Sequence, residues 1–351
     1  MLEEKDVLIV GQGIAGSLLA WQAEQSGLEF LIYDVGAKLS ASAVSSGLIN
    51  PVTGRSFVKS WMINDLYPIA YETYRKIEFE LEVPIVRSYP LWHHIPDIHK
   101  ENLWNERCID PLYKGLVANA EHSHVKKLFH QSFYFGLVRR ALKINVKQLI
   151  TGLRTRWLLS NRLKEELFQI NELLPVASGF TYRGMHFKNV ILAMGFKGIE
   201  HAKFFKSGAY RPVKGEVFLC RIKGHTEKEI IKHGKFIVPL GDQKFWIGSN
   251  YQFDYENSKP DKSQTEDLVA FLDNQLVNDY EILDHKSGIR PSTKFRRPLI
   301  GRHTQYPGLY LFNGLGTKGI SLAPYFAREV IGAIMTSNSF STEEFDRIFN
   351  S

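Results

Sequence analysis

Asp6-Val7-Leu8-Ile9-Val10-Gly11-Gln12-Gly13-Ile14-Ala15-Gly16 is the stretch on which the fold turns. Asp6 to Val10 is a short apolar run of the kind buried on both faces of a parallel sheet. The glycines follow at the spacing G-x-G-x-x-G. Ser17 to Gln25 reads as a helix able to set Leu18, Leu19 and Ala23 against a sheet, and Gly27 ends it. Phe30-Leu31-Ile32-Tyr33-Asp34 is a second buried strand, its acid 18 residues beyond Gly16. In this strand–turn–helix–strand order each glycine has a task. Gly11 makes the tight turn, Gly13 lets a pyrophosphate approach the backbone, and Gly16 lets the helix pack closely on the strand. The first N–H groups of the helix and its positive dipole end face the phosphates. Asp34 is placed to accept hydrogen bonds from ribose hydroxyls, which argues against a 2′-phosphate and leaves NAD and FAD open.

A second unit of the same kind closes the chain. Leu309-Tyr310-Leu311-Phe312-Asn313 is a buried strand that runs into Gly314-Leu315-Gly316-Thr317-Lys318-Gly319-Ile320, then into a helix through Ile334. Pro324 is expected in the first turn of that helix, where its missing N–H is harmless. A third apolar run, Val190-Ile191-Leu192-Ala193-Met194-Gly195, also reads as a strand ending in glycine. Units so far apart predict one nucleotide-binding domain assembled from residues 1–75, 135–212 and 286–351. Residues 76–134 and 213–285 then form an inserted substrate domain.

The intervening segments support this division. Ser40 to Pro51 is small and polar, suited to close backbone approach to a large ligand. Trp61 to Leu81 and Asn145 to Ser160 read as amphipathic helices. Pro84 to Phe129 reads as irregular, and its His93, His94 and His99 lack the acidic neighbours of a metal site. Leu163 to Gln169, Phe180 to Tyr182 and Met185 to Phe187 read as short strands. Glu216 to Arg221, Phe236 to Pro239 and Lys244 to Gly248 read as strands of a mostly antiparallel sheet, and Gln264 to Leu283 as a helix. The fold class expected is α/β with an inserted α+β part.

Composition bounds the rest. A chain of 351 residues is too long for one typical core, and 13% aromatic residues exclude extensive disorder. No apolar run approaches the roughly 20 residues of a membrane span. The acidic start Glu3-Glu4 lacks the basic region of a signal peptide, and two cysteines make no disulfide framework or metal motif, so a cytoplasmic setting is expected. The formal net charge of +7 is compatible with nucleic acid, an anionic cofactor or an anionic substrate, and equally with a mildly basic soluble enzyme. Arg290, Lys294, Arg296, Arg297 and Arg302 contribute to it in a segment without an acid.

Together the N-terminal GQGIAG with Asp34, the SSGL loop, VILAMG, GIRPST…RPLIG and NGLGTKGISLAP resemble the D-amino acid oxidase-like family of FAD-dependent oxidoreductases, which includes glycine oxidase and sarcosine oxidase. The resemblance implies a Rossmann-like FAD-binding domain of the glutathione-reductase type and noncovalent FAD. By position it puts Ile14, Ala15 and Ser42 at the diphosphate and Asp34 at the ribose. Leu167, on the strand in LKEELF, would hold the adenine through its backbone. Ser46, Gly47 and Leu48 would run along the flavin ring, and Gly314 through Ile320 would wrap its pyrimidine end. Gly195 closes the set. Arg290 matches the arginine that pairs with a substrate carboxylate, the alternative being a buried salt bridge.

The implied activity is oxidation of an amine C–N bond by hydride transfer, giving an imine, on a small substrate carrying a carboxylate. Phe236, Tyr251 and Thr317 depart from the glycine oxidase pattern, and Tyr251 is a candidate catalytic phenol. The SSGLINP loop and the GLGTKGISLAP ending are also similar to the oxidase half of the bifunctional enzyme that makes 5-methylaminomethyl-2-thiouridine in tRNA. A tRNA-linked amine is therefore the alternative substrate, with Lys126, Lys127, Arg139, Arg140, Lys143 and Lys147 as a basic stretch or a solvated helix face. A noncatalytic flavoprotein is the third reading.

Overall fold

The computed structural model describes residues 3–36, 40–131, 133–200, 204–205, 207–225 and 228–350. Glu3–Val10 forms the middle of the first sheet. It pairs in parallel with Phe30–Tyr33 on one side and Met185–Leu192 on the other. Leu163–Lys164 and Leu309–Asn313 extend the parallel set outward. The period-two alternation of a strand explains why the whole run is apolar. Val7 and Ile9 enter one core with Leu18, Leu19, Leu149, Leu153, Phe326 and Val330 from the helices. Leu8 and Val10 enter the opposite core with Phe168, Phe180, Tyr182 and Phe187.

The helices Ile14–Gln25, Ile63–Leu81, Val146–Leu159 and Gly319–Thr336 share the first of these cores. A small antiparallel meander, Leu174–Val176 with Gly179–Tyr182, pairs onto the start of Met185–Leu192.

The second sheet is mostly antiparallel. Its order is Tyr280–Arg290, Val213–Ile222, Lys244–Gly248, Lys235–Gly241, Ile230–His233, Val86–Ile95, Tyr134–Ile144 and Leu48–Ile49. Ile230–His233 and Val86–Ile95 run parallel to each other. Tyr134–Ile144 thus hydrogen-bonds within the second sheet, while its end residues Leu142 and Ile144 belong to the first core. Among the described residues no helix is long and apolar enough to cross a membrane.

Several expectations about elements need correction. The segment expected to be irregular holds the strand Val86–Ile95 and the helix Ile98–Ile109. Pro90 hid the strand. It cannot donate to the ladder, and the register shifts there, between Tyr89 and Leu91. The helix expected to reach Leu283 ends at Gln275, and Tyr280–Arg290 is a strand.

The last helix begins at Gly319, so Pro324 sits beyond its first turn. A proline there leaves the Ile320 carbonyl without its helical donor. The Tyr74 hydroxyl, from the Ile63–Leu81 helix, donates to that carbonyl at 2.6 Å.

Candidate active site at the meeting of two glycine turns

The first glycine turn is shaped by backbone contacts that exclude side chains. Gly11 has φ +96°, and a Cβ on it would lie 2.7 Å from the Ala193 carbonyl oxygen. A Cβ on Gly16 would lie 1.8 Å from the Gly11 oxygen, so the helix packs on the turn only because Gly16 is bare. Gly13 begins the helix with extended backbone and no cap of its own. The Ser42 hydroxyl instead accepts from Ile14 N at 3.0 Å, which brings the 40–51 loop against the helix N-terminus.

Asp34 stands at the end of its strand as expected. Its Oδ2 accepts from Gln12 N at 2.8 Å; its Oδ1 accepts from Gly36 N at 2.6 Å and Arg154 Nη1 at 2.9 Å. Arg154 also reaches Glu165 and the Gln12 side chain. Sequence reasoning passed over Arg154, because nothing in a basic amphipathic helix marks which cation turns inward. Leu167 is not on a strand: the strand ends at Lys164, and the Leu167 side chain is 57% exposed.

The loop from Ser40 carries the chain from this turn to the second sheet. Gly47 has φ +75°, and a Cβ there would fall 1.9 Å from the Ile144 oxygen. Gly47 O in turn accepts from Ile144 N at 2.8 Å, which seats Leu48 on the edge of the second sheet. The Trp246 indole donates to Val44 O at 2.8 Å. Ser46 lies in the link between the short Ala41–Val44 helix and that strand.

The second glycine turn closes on the first. A Cβ on Gly319 would lie 3.2 Å from Ile14 Cγ2, so the starts of the two helices touch. Asn313 ties the turn down: its side chain donates to Gly195 O and accepts from Gly314 N, both at 2.8 Å. Gly314 and Gly316 have φ +76° and +54°. Gly316 N donates to Pro291 O at 3.3 Å, which joins this turn to the segment after Arg290. Leu315 and Ile320 are buried, Thr317 is exposed and Lys318 is half-buried. Burial pushes the Lys318 ammonium below its usual range, and the nearby charge of Arg297 acts the same way.

Arg290 ends the last strand of the second sheet. Its Nη2 donates to Ser249 Oγ at 2.5 Å and its Nη1 to Asn250 O at 3.3 Å. The guanidinium lies over the Tyr251 ring, 4.8 Å from its centroid. Burial lowers the Arg290 pKa, and Tyr251 acts weakly in the other direction. Among the described residues no carboxylate pairs with it, so the salt bridge held open as the alternative role is not formed there.

Tyr251 itself is 63% exposed. The segment that carries it is stitched to the strand behind. Asn250 Oδ1 accepts from Glu216 N at 2.7 Å, and Gln252 exchanges two backbone bonds with Lys214. Lys214 and Glu216 form a buried ion pair at 2.9 Å, which His285 approaches at 3.0 Å from Glu216 Oε2. These residues carried no sequence signal, because their partners lie on strands paired through the fold.

The bare glycine positions, the open helix N-terminus and the small-residue loop between them fit an elongated dinucleotide. The family model described as "FAD dependent oxidoreductase" (DAO) matches residues 6–332. The chain belongs to this family and is an FAD-dependent amino acid or amine oxidoreductase. It is 24% identical over 345 residues to a glycine oxidase from Pseudomonas aeruginosa, covering 92% of each chain. It is 21% identical to the bifunctional tRNA 5-methylaminomethyl-2-thiouridine biosynthesis protein MnmC of Leptospira interrogans, covering 97% of this chain and 59% of that protein. A glycine oxidase from Geobacillus kaustophilus superposes with a TM-score of 0.80 at 17% identity, covering 98% of both chains.

The basic stretch does not form one helix face. Lys126 ends a short helix, Arg139, Arg140 and Lys143 lie on the strand Tyr134–Ile144, and Lys147 is on the next helix.

Proposed function

We propose that the chain oxidises the C–N bond of a small amine that carries a carboxylate, giving an imine. The observation that carries this reading is the half-buried guanidinium of Arg290, held by Ser249 and Asn250 and left without an acid among the described residues. A planar guanidinium takes a carboxylate through two parallel hydrogen bonds, which fixes orientation as well as affinity. Arg290 so placed orients the amine carbon, with the exposed Tyr251 ring against it. Bound FAD supplies the two-electron acceptor that takes the hydride from that carbon. The neutral nitrogen gives its lone pair to the new C=N bond and its proton to water, and water then hydrolyses the imine.

Gly11, Gly13, Ile14, Ala15, Gly16, Asp34 and Ser42 would hold the dinucleotide end, joined by the Leu167 backbone at the adenine. Ser46, Gly47, Leu48, Gly195 and Gly314 through Ile320 would hold the flavin end. In this reading residues 1–75, 135–212 and 286–351 serve the cofactor, with Tyr134–Ile144 shared between the two parts. An anaerobic screen of primary and N-alkyl amino acids, each beside its amide, tests the proposal. The acids should bleach the flavin absorbance and the amides should fail. Amides that reduce the flavin as well as their acids would remove Arg290 from this role.

A macromolecular substrate is the second reading. It is favoured by the likeness to the bifunctional tRNA protein along 97% of the chain and by the exposed cations Lys127, Arg139, Arg140 and Lys147. It requires RNA binding whose affinity falls steeply with salt. Binding that is absent at low salt excludes it.

A further inference from the structure

The guanidinium of Arg154 gives all of its N–H groups to three residues around the first glycine turn. Nη1 donates to Gln12 Oε1 at 2.6 Å and to Asp34 Oδ1 at 2.9 Å. Nη2 donates to the Asp34 carbonyl at 3.2 Å and to Glu165 Oε1 at 2.7 Å, and Nε reaches the same Glu165 oxygen at 3.0 Å. With every donor engaged, Arg154 acts on a bound molecule only through these partners.

The partners come from three different elements. Gln12 stands between Gly11 and Gly13 and is buried, and its Nε2 donates at 3.2 Å to Ile150 O, on the same helix as Arg154. Asp34 closes the second strand, and its N–H donates to Lys164 O at 3.1 Å. Glu165 follows Lys164 directly, two residues before Leu167. Gly36 leaves the room this needs: a Cβ there would lie 3.1 Å from Arg154 Nη2.

The Arg154 and Asp34 side chains are each only 15% exposed. Charges so far from water are stable only in good geometry, and a planar fork fixes direction as well as distance. A carboxylate has about four acceptor positions. Among the described residues, Gln12 N takes one on Oδ2, while Gly36 N and Arg154 take both on Oδ1. Asp34 is therefore held in one orientation with its open position on Oδ2.

We infer that Arg154 is a positioning residue for the adenosine half of FAD. Its fork fixes Asp34 so that the open oxygen receives a ribose hydroxyl, and holds the glycine turn and the Glu165 segment to the same carboxylate. This rests on the placement of Asp34 at the ribose proposed above and adds the residue that sets it.

Flavin release from the loaded full-length protein tests the assignment, with FAD and its 2′,3′-dideoxyadenosine analogue as the two ligands. Release after dilution is followed by flavin fluorescence, with melting curves showing which variants fold. A hydrogen bond to a charged acceptor is worth about tenfold or more, so the wild type should release the analogue faster than FAD by that factor. In Arg154→Met the ratio should fall to near one. Arg154→Lys keeps the charge without the planar fork, so its ratio should lie between the two. A methionine variant that releases both flavins faster by one common factor, with the wild-type ratio intact, overturns the proposal and leaves Arg154 a support of the fold alone. Where the methionine variant does not fold, a wild-type ratio in the lysine variant overturns it in the same way. A ratio near one in the wild type overturns the placement of Asp34 at the ribose as well.

Discussion

The guanidinium of Arg290 fills the space that a side chain on Gly215 would need. A Cβ there would lie 2.0 Å from Nη2 and 2.3 Å from Cζ. Gly215 faces Gly288 across the antiparallel ladder, and Ala41 and Val44 close on Gly288 from the same side. Gly215 has no left-handed backbone, so alanine is tolerated conformationally and the conflict falls on the movable end of Arg290. Gly215→Ala should therefore fold and retain flavin while displacing the guanidinium. Loss of a charge-assisted pair is worth about 2–3 kcal/mol, or roughly a hundredfold in kcat/KM for a carboxylated amine. Uncharged amines should be unaffected. Steady-state kinetics on matched acids and amides checks this, and equal losses on both would show a general distortion instead.

Removing Arg290 separates its two conceivable roles. A structural cation leaves an unpaired acid behind, at a cost of about 3–5 kcal/mol. Arg290 pairs with no acid among the described residues, so Arg290→Met should leave the melting temperature close to that of the wild type or slightly raise it. The KM for carboxylated amines should rise by about two orders of magnitude. A melting temperature that falls by many degrees would return Arg290 to a structural role.

Which of these features could be read from the chain follows from how local they are. The Asp6–Gly16 turn was legible because a buried strand is a continuous apolar run and the spacing of its glycines is itself a local pattern, although the carbonyl that crowds Gly11 belongs to distant Ala193. The Leu309–Ile320 turn was legible for the same reason. Val86–Ile95 was not, since Pro90, His93 and His94 break any apolar alternation, and the strand exists only by pairing with Tyr134–Ile144. The partners that decide the site are also distant: Arg154 is 120 residues from Asp34, and Tyr74 is 246 from Ile320. Arg290 was found by its position in GIRP, but its want of an acid is a fact of three-dimensional packing.

The Tyr74 hydroxyl stands in for the N–H that Pro324 lacks. Tyr74→Phe should leave the buried Ile320 carbonyl unsatisfied and cost about 1–3 kcal/mol. Restoring the helical donor should repair it, so Pro324→Ala in the Tyr74→Phe background should recover most of the loss. Urea denaturation of the four proteins in this cycle measures the coupling. Additive effects would mean that the hydroxyl does not replace the helical bond.

Two glycines with nearly the same backbone should respond differently to alanine. Gly47 and Gly27 have φ +75° and +72°, so each carries a left-handed penalty of about 1–2 kcal/mol for a side chain. Gly27 has nothing within 4 Å of its Cβ position, whereas Gly47 would meet the Ile144 oxygen at 1.9 Å. Gly27→Ala should cost only that penalty and keep flavin. Gly47→Ala must push Leu48 off the second sheet, and should yield protein that elutes without flavin. Comparing the flavin-to-protein absorbance ratio of the two variants settles the point.

Acid should weaken the fold through a histidine stack away from the proposed site. The rings of His94 and His233 lie 3.9 Å apart, and Phe129 stacks on His233 at 4.4 Å. His94 Nε2 accepts from Phe133 N, and the His233 ring bonds Gln131 O. Burial pushes His93 and His94 down to about 4, and His94 is lowered further by His233 and His93. His233 is lowered by burial, with Lys232 adding to the effect and the Gln131 bond opposing it. Lowered folded values mean that the unfolded chain takes up protons near pH 6.5 while the folded chain does not until about pH 4. The unfolded state binds more protons in that window, so stability falls as pH drops through it. His94→Gln should flatten the dependence by removing one titrating ring and the repulsion on its neighbour. Melting temperatures from pH 7.5 to 4 should fall more steeply for the wild type than for the variant; parallel curves would place the acid sensitivity elsewhere.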